Sequence, residues 1–241
     1  MLSSFKELAS KHRVKVTMEE QGWRRWTEAN PVTYKGIQEV EGGEIWLRGN
    51  IILENIPDIL VKGNGAKLFL SEGVYLKRPR ITVEGNAQVF IGTNANIWER
   101  ELKAHGFQKN STLMIGKECL LKHGTSECRD GTCLIIGDKT AFAAGVRMRS
   151  GNEHGIFDRT THESFNQPKD IIIGEHVWLG EDVYVNRGSV INDGVIVGRR
   201  GLVSAKLEAN CLYAGVPVRK IRENVVWALG QDYLSVPEEY R

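Results

Sequence analysis

No two cysteines in this chain are spaced as Cys-x-x-Cys. The four present, Cys119, Cys128, Cys133 and Cys211, are scattered, and without an export signal a disulfide framework is not expected. No apolar run approaches the roughly 18 residues of a membrane-spanning helix, so no transmembrane segment is expected. The N-terminus, MLSSFKELASKHRVK, places charges inside its short apolar stretch and has no cleavage pattern. It does not read as a signal peptide, and a cytoplasmic location is expected. Neither sign of charge dominates: Lys and Arg number 32, Asp and Glu 30. That balance leaves no electrostatic footprint for nucleic acid.

Glycine, by contrast, is plentiful, at 26 of 241 residues, and the chain is organised around a stretch that uses it. Residues 173–207 read in sixes: IGEHVW, LGEDVY, VNRGSV, INDGVI, VGRRGL, VSAKLE. Each six opens on an aliphatic residue: Ile173, Leu179, Val185, Ile191, Val197, Val203. The second residue is small or short and polar, and the fifth is mostly small or β-branched. A period of six fits neither a helix at 3.6 residues nor an alternating strand at two. It fits a solenoid in which each six covers one flat face and a corner, three faces closing one coil. The aliphatic residue then points inward, and the short residue suits the corner, where a large Cβ would clash. Coils stack through strand hydrogen bonds, so each covers the core of the one before.

The rhythm is present earlier in a looser form. VKGNGAKLFL at 61–70 and VEGNAQVFIG at 83–92 are similar segments, and Ile-Gly pairs recur at Ile91, Ile115 and Ile136. Cys119 falls at the fifth place of the hexad from Ile115 and reads as packing rather than as a reactive thiol. The predicted organisation is therefore an N-terminal helix and lead-in over 1–44, a β-solenoid over 45–208, and a C-terminal helix and tail over 209–241. The N-terminal helix rests on Leu2, Phe5, Leu8 and Ala9. The C-terminal α-helix rests on the spacing of Val218, Ile221, Val225 and Leu229 after Pro217, with Gly230 as its stop, and would cap the last coil. Trp23 and Trp26 read as core or subunit-contact residues. Between 150 and 170 the hexads stop. A long loop on a tight scaffold, here carrying His154 and His162, favours function.

Four features together resemble the hexapeptide-repeat acyltransferases: the hexads of 173–207, the loop SGNEHGIFD before them, VWLGEDV at 177–183 and AGVPVRKIR at 214–222. Within that superfamily the chain is most similar to galactoside and maltose O-acetyltransferases and to capsular polysaccharide (sialic acid) O-acetyltransferases. The resemblance implies an all-β, left-handed parallel β-helix with an extruded loop, an exception to right-handed crossovers. It implies a homotrimer with active sites at subunit interfaces, acetyl-CoA as co-substrate, no metal, and a glycan or sugar acceptor.

It also implies roles. A sugar hydroxyl is a poor nucleophile at neutral pH and needs a base for its proton. His154 stands at the family's catalytic histidine and Trp178 at its tryptophan, a wall for acetyl group and acceptor. Taken alone, His154 is a loop histidine and Trp178 ordinary surface packing. Glu153, Asp158 or a backbone carbonyl would hold the imidazole's tautomer, and N–H groups near Gly180 could face the oxyanion. For acetyl-CoA, Gly180, Gly198, Ser204 and Ala205 permit close approach, and Lys206, Arg219, Lys220 and Arg222 supply cations for phosphates. His123 and Glu153 are the candidate acceptor contacts. His176 is expected to face outward.

Three alternatives compete with a glycan O-acetyltransferase. One is an N-acetyltransferase of an amino-sugar nucleotide. Another is a zinc enzyme of the γ-carbonic anhydrase type, whose paired-histidine spacing is missing here. The last is a non-catalytic hexapeptide protein.

Overall fold

The computed structural model describes residues 1–26 and 36–241. Part of the N-terminal lead-in, residues 27–35, lies outside the described residues. The hexads wind a parallel β-solenoid, the left-handed β-helix that the family resemblance implies, with three columns of strands. The first face includes Asp58–Lys62, Gly124–Cys128, Val146–Arg149, Tyr184–Asn186 and Leu202–Val203. The second includes Glu44–Arg48, Lys67–Leu70, Cys133–Ile136, Ile171–Ile173, Val190–Ile191 and Lys206–Leu207. The third includes Tyr75–Lys77, Leu120–Leu121, Ala141–Phe142, Trp178–Leu179, Ile196–Val197 and Leu212–Gly215. The long strands Arg80–Ile91 and Arg100–Ile115 run through a corner and serve two faces each. Neighbouring rungs pair in parallel and in register, as at Phe142↔Leu179↔Val197.

All six hexad-opening aliphatic residues are buried, as are the fifth-place Val177, Val183, Ser189, Val195 and Leu207. Ser189 meets the cost of burial by donating to the Val203 carbonyl at 3.2 Å. The second-place glycines answer to rung spacing. A Cβ on Gly180 would lie 2.7 Å from the Arg199 nitrogen, and one on Gly174 2.1 Å from Asp193 Oδ1. The fourth place of the hexad carries the corner itself. His176, Asp182, Gly188, Gly194 and Arg200 all take positive φ, between 52° and 78°. That conformation was not anticipated, because several of these residues are not glycine.

Helix α1, Ser3–His12, forms where expected and lies on the second face. The outward side chains of that face, among them Phe69, Phe90, Met114 and Ile135, are apolar and pack against Leu2, Phe5 and Ala9. Phe5 meets Phe69 edge-on at 5.4 Å and Phe90 at 5.6 Å. Trp23, partly buried, packs against this cluster, and Trp26 is buried in the solenoid core. Truncating the buried Phe5 to alanine should cost about 3–5 kcal/mol, read as a lower midpoint in urea unfolding. All four cysteines are buried and unpaired. Cys119 Sγ sits 3.2 Å from the Gly137 carbonyl, and burial pushes its thiol up to about 12, in line with a packing role.

The C-terminal α-helix does not form. Val218–Arg222 is instead a strand, antiparallel to Leu212–Gly215. The last coil presents a row of open N–H and C=O groups, and a returning strand satisfies them where a helix would not. Tertiary pairing thus overrides the helical spacing of Val218 and Ile221. The tail then folds back on the third face. Trp227 and Tyr240 sandwich His176, with centroids 4.5 and 3.9 Å away and planes within 8°. Trp227 Nε1 donates to the His176 carbonyl at 2.7 Å, and His176 Nε2 bonds the Trp227 carbonyl at 3.0 Å. His176 therefore faces away from the coil interior, as its hexad place implies, but is buried beneath the tail.

Burial lowers the pKa of His176 against weaker opposing effects of the Trp227 carbonyl, Glu175 and Glu239. Its neutral form is the one the folded tail holds. Below the unfolded value of about 6.5 His176, uncovered by release of the tail, binds a proton that it refuses while the tail is docked. Docking is thus complete above that pH and is lost as pH falls toward the lower, folded value. Trp227 fluorescence should report tail release on acidification, and His176→Phe should remove this pH dependence.

Candidate active site

His154 lies in the extruded loop, between the first-face strand Val146–Arg149 and the second-face strand Ile171–Ile173. The loop is ordered as a hairpin, with Phe157 bridged to Ser164. The buried Asn166 ties its two arms together. Its Nδ2 donates to the His154 carbonyl at 2.7 Å, and its Oδ1 accepts the Ile156 N–H at 2.6 Å. Sequence reasoning missed Asn166; its place in an otherwise exposed, polar loop gives no periodic signal. Both carboxylates that could hold the imidazole are engaged elsewhere. Asp158 accepts the N–H groups of Thr160 and Thr161 at 2.7 and 2.8 Å, which keep its carboxyl below the usual range. Glu153 pairs with Arg129 at 2.6 Å, which likewise lowers it. Among the described residues no side chain hydrogen-bonds the His154 ring, which is exposed.

Trp178 projects from the third face. It is 42% exposed while its neighbour Leu179 is buried, and it stands 6.0 Å from Trp227. In a three-sided coil the third face is opposite the corner between the first and second, where the His154 loop emerges. The expected site residues divide along this line. Glu153, His154, Ser204 and Ala205 lie on the corner between faces one and two, and Lys206 opens the second-face strand just past it. Trp178, Arg219, Lys220 and Arg222 lie on the third face and its added strand. Gly180 and Gly198 follow third-face strands, at the corner leading to the first face. One chain therefore does not bring the set together.

Several expected contacts are already made. The Gly180 N–H donates to the Val197 carbonyl and that of Gly198 to the Tyr213 carbonyl, each at 2.8 Å, so neither N–H is open to an oxyanion. Ser204 Oγ accepts from Asn186 at 2.8 Å. Lys220 is held by Glu208 and Glu223 at 2.6 and 2.8 Å. Arg219, Arg222 and Lys206 are exposed and make no ion pair among the described residues, so they are the cations left for phosphate.

His123 opens a groove along the first face. A cleft of about 350 Å³ is lined by Arg78, Arg80, Arg100, His123 and Arg147, with Glu99 and Glu101 beside Arg78 and Arg80. A second, of about 400 Å³, continues past Arg147, Arg149 and Tyr184 toward the root of the loop. Both share Glu101, Thr125 and Arg147. Arg100 is the groove's buried floor. Its guanidinium reaches Ser126 Oγ at 2.9 Å and the carbonyls of Lys122 and Val146 at 3.0 and 3.1 Å. Burial pulls its pKa down to about 9, which leaves it charged at neutral pH. This arginine-lined groove was not foreseen, because its arginines are spread over 78–149 and meet only by stacking.

The triangular β-solenoid resembles the hexapeptide-repeat acyltransferases, in fold and in sequence. No family model matches the chain. Among individual proteins it is 29% identical over 120 residues to the polysialic acid O-acetyltransferase of Escherichia coli, covering 50% of this chain and 39% of that protein. It is 32% identical over 119 residues to the galactoside O-acetyltransferase of Escherichia coli, covering 48% and 57%. The chain spans about half the length of these curated relatives. The solved structure of the polySia-specific acetyltransferase NeuO superposes with a TM-score of 0.69 at 25% identity, over 82% of this chain and 90% of that one. The polysialic acid O-acetyltransferase OatWY superposes at 0.60 with 22% identity, over 83% and 92%. Among the described residues no helix is long and apolar enough to cross a membrane.

Proposed function

We propose that the protein is an acyltransferase that moves an acetyl group from acetyl-CoA to a sugar hydroxyl of an anionic glycan, of the surface-polysaccharide or sialic-acid kind. The observation that carries the reading is the division of the site. An exposed imidazole on a braced hairpin and an exposed indole on the opposite face are two halves of one active site, completed between neighbouring subunits of a homotrimer. The exposed Ile156, Phe157 and Phe165 of the hairpin support that arrangement, since a neighbour would cover them.

In this arrangement His154 takes the proton of the acceptor hydroxyl as the oxygen attacks the thioester carbonyl. The C–O bond forms, the C–S bond breaks, and the proton passes from His154 to the departing thiolate, so no acyl-enzyme is needed. Trp178 packs against the acetyl group and the sugar face. Lys206, Arg219 and Arg222 hold the phosphates of CoA, and Ser204 and Ala205 are small enough to let its pantetheine arm lie against the corner. In the groove entered past His123, Arg147 makes no ion pair among the described residues and is the cation that suits a carboxylate on the acceptor, whereas Arg78, Arg80 and Arg149 are already paired with Glu99, Asp58 and Glu127.

The test is incubation of the pure protein with acetyl-CoA and a panel of neutral and sialylated glycans, following free thiol. Faster release with the acidic glycans is expected, and thiol release indifferent to every glycan would sink the reading. The product should lose acetate in mild alkali, as an ester does. An alkali-stable amide would favour an amino-sugar acceptor instead.

A further inference from the structure

Three potential ligands from distant parts of the chain meet where α1 ends on the second face, away from the acetyl-transfer residues. His12 is the last residue of the helix, Cys133 opens the strand Cys133–Ile136, and Asp170 closes the extruded loop. His12 Nε2 is 3.5 Å from Cys133 Sγ and 3.7 Å from Asp170 Oδ2. One donor atom from each lies within 4.8 Å of the other two. The second oxygen of Asp170 accepts the Cys133 N–H at 2.8 Å, which orients the carboxylate and leaves Oδ2 turned to the cluster.

A thiol and a carboxylate both address the same ring nitrogen. In a nucleophile–base–acid relay they would sit on opposite nitrogens, the carboxylate on Nδ1. The thiol is also 4% exposed, and burial followed by the charge of Asp170 raises its pKa, so it is a poor nucleophile. A shared point is what a bound cation needs. Sulfur, nitrogen and oxygen ligands at zinc bond lengths of about 2.0–2.3 Å stand about 3.3–3.6 Å apart on a tetrahedron. The His12 ring nitrogen stands within tenths of an ångström of those spacings from both partners, and the thiol-to-carboxylate edge, within 4.8 Å, closes by at most about 1.3 Å on a tetrahedron.

We propose that His12, Cys133 and Asp170 bind a zinc-class divalent cation, with solvent at the fourth position on the side of the partly exposed Asp170. The expectation of no metal, implied by family resemblance, is set aside here on this chain's own residues. On binding, the S–H bond breaks, sulfur binds as thiolate and the proton leaves to solvent. The ion would clamp α1 to the solenoid at the root of the His154 hairpin.

The untagged full chain, dialysed against a chelator, is titrated with cobalt(II) and then zinc(II). One equivalent per chain is expected, with a thiolate-to-cobalt charge-transfer absorption that zinc abolishes. Cys133→Ser, nearly isosteric, should lose the absorption, and Cys128→Ser should keep it. His12→Gln, on the end of the helix, removes a direct ligand and should weaken binding by at least the roughly 10–100-fold that loss of an outer-shell partner costs, with circular dichroism confirming that it folds. Absence of the absorption in the parent protein, or its persistence in Cys133→Ser, would overturn the proposal.

Discussion

Replacing His154 by alanine should lower kcat for acetyl transfer by about 10²–10⁴-fold, the usual worth of a positioned base, while the KM for acetyl-CoA stays near its starting value. The change is cheap structurally. The ring is exposed and makes no hydrogen bond among the described residues, whereas the backbone carbonyl that Asn166 holds is untouched. Thermal midpoints of parent and variant should therefore coincide, and a fall in rate cannot be charged to unfolding. Steady-state kinetics with a sialylated acceptor provides the measurement. A variant that turns over at the parent rate would remove the imidazole from the reaction. Asn166→Ala offers the complementary case. It leaves the ring in place but frees the hairpin arms, so kcat should fall by a smaller factor.

The regular half of the solenoid was readable residue by residue, because six-residue periodicity is a covalent property of the chain. Ile173 through Val203 point inward where the pattern puts them. The loop at 150–170 was readable as an interruption of that pattern, and α1 as apolar spacing. What failed was decided by contacts between distant segments. The strand Val218–Arg222 exists because an open edge lies beside it. His176 is buried because Trp227 and Tyr240 arrive 51 and 64 positions later in the sequence and stack on it. The site was legible as a set of residues and illegible as an arrangement. Nothing in the string says that position 154 lies on a corner and position 178 on the face across from it; that follows from three faces per coil. The same stacking gathers Arg80 and Arg147 into one groove.

Two inactive variants should restore each other when mixed, if the site forms between subunits. His154→Ala keeps an intact third face with Trp178, Arg219 and Arg222. Trp178→Ala keeps an intact corner with His154, and its own loss should be on the order of 10²-fold through misplacement of the reacting groups. In a cyclic trimer every contact is head-to-tail, the corner of one subunit against the face of the next. With random mixing of equal amounts, a contact joins an intact corner to an intact face in about one case in four. Co-expressed and co-purified mixed trimers should thus recover about a quarter of parent activity, whereas each variant alone stays near its own floor. Separately purified variants combined without subunit exchange should recover nothing, which separates shared sites from simple additivity. If the reaction instead ran within one chain, each subunit would carry one lesion and the mixed trimers would be no faster than the mean of the two variants. That outcome would reject the shared site while leaving the role of His154 to be judged on its own variant.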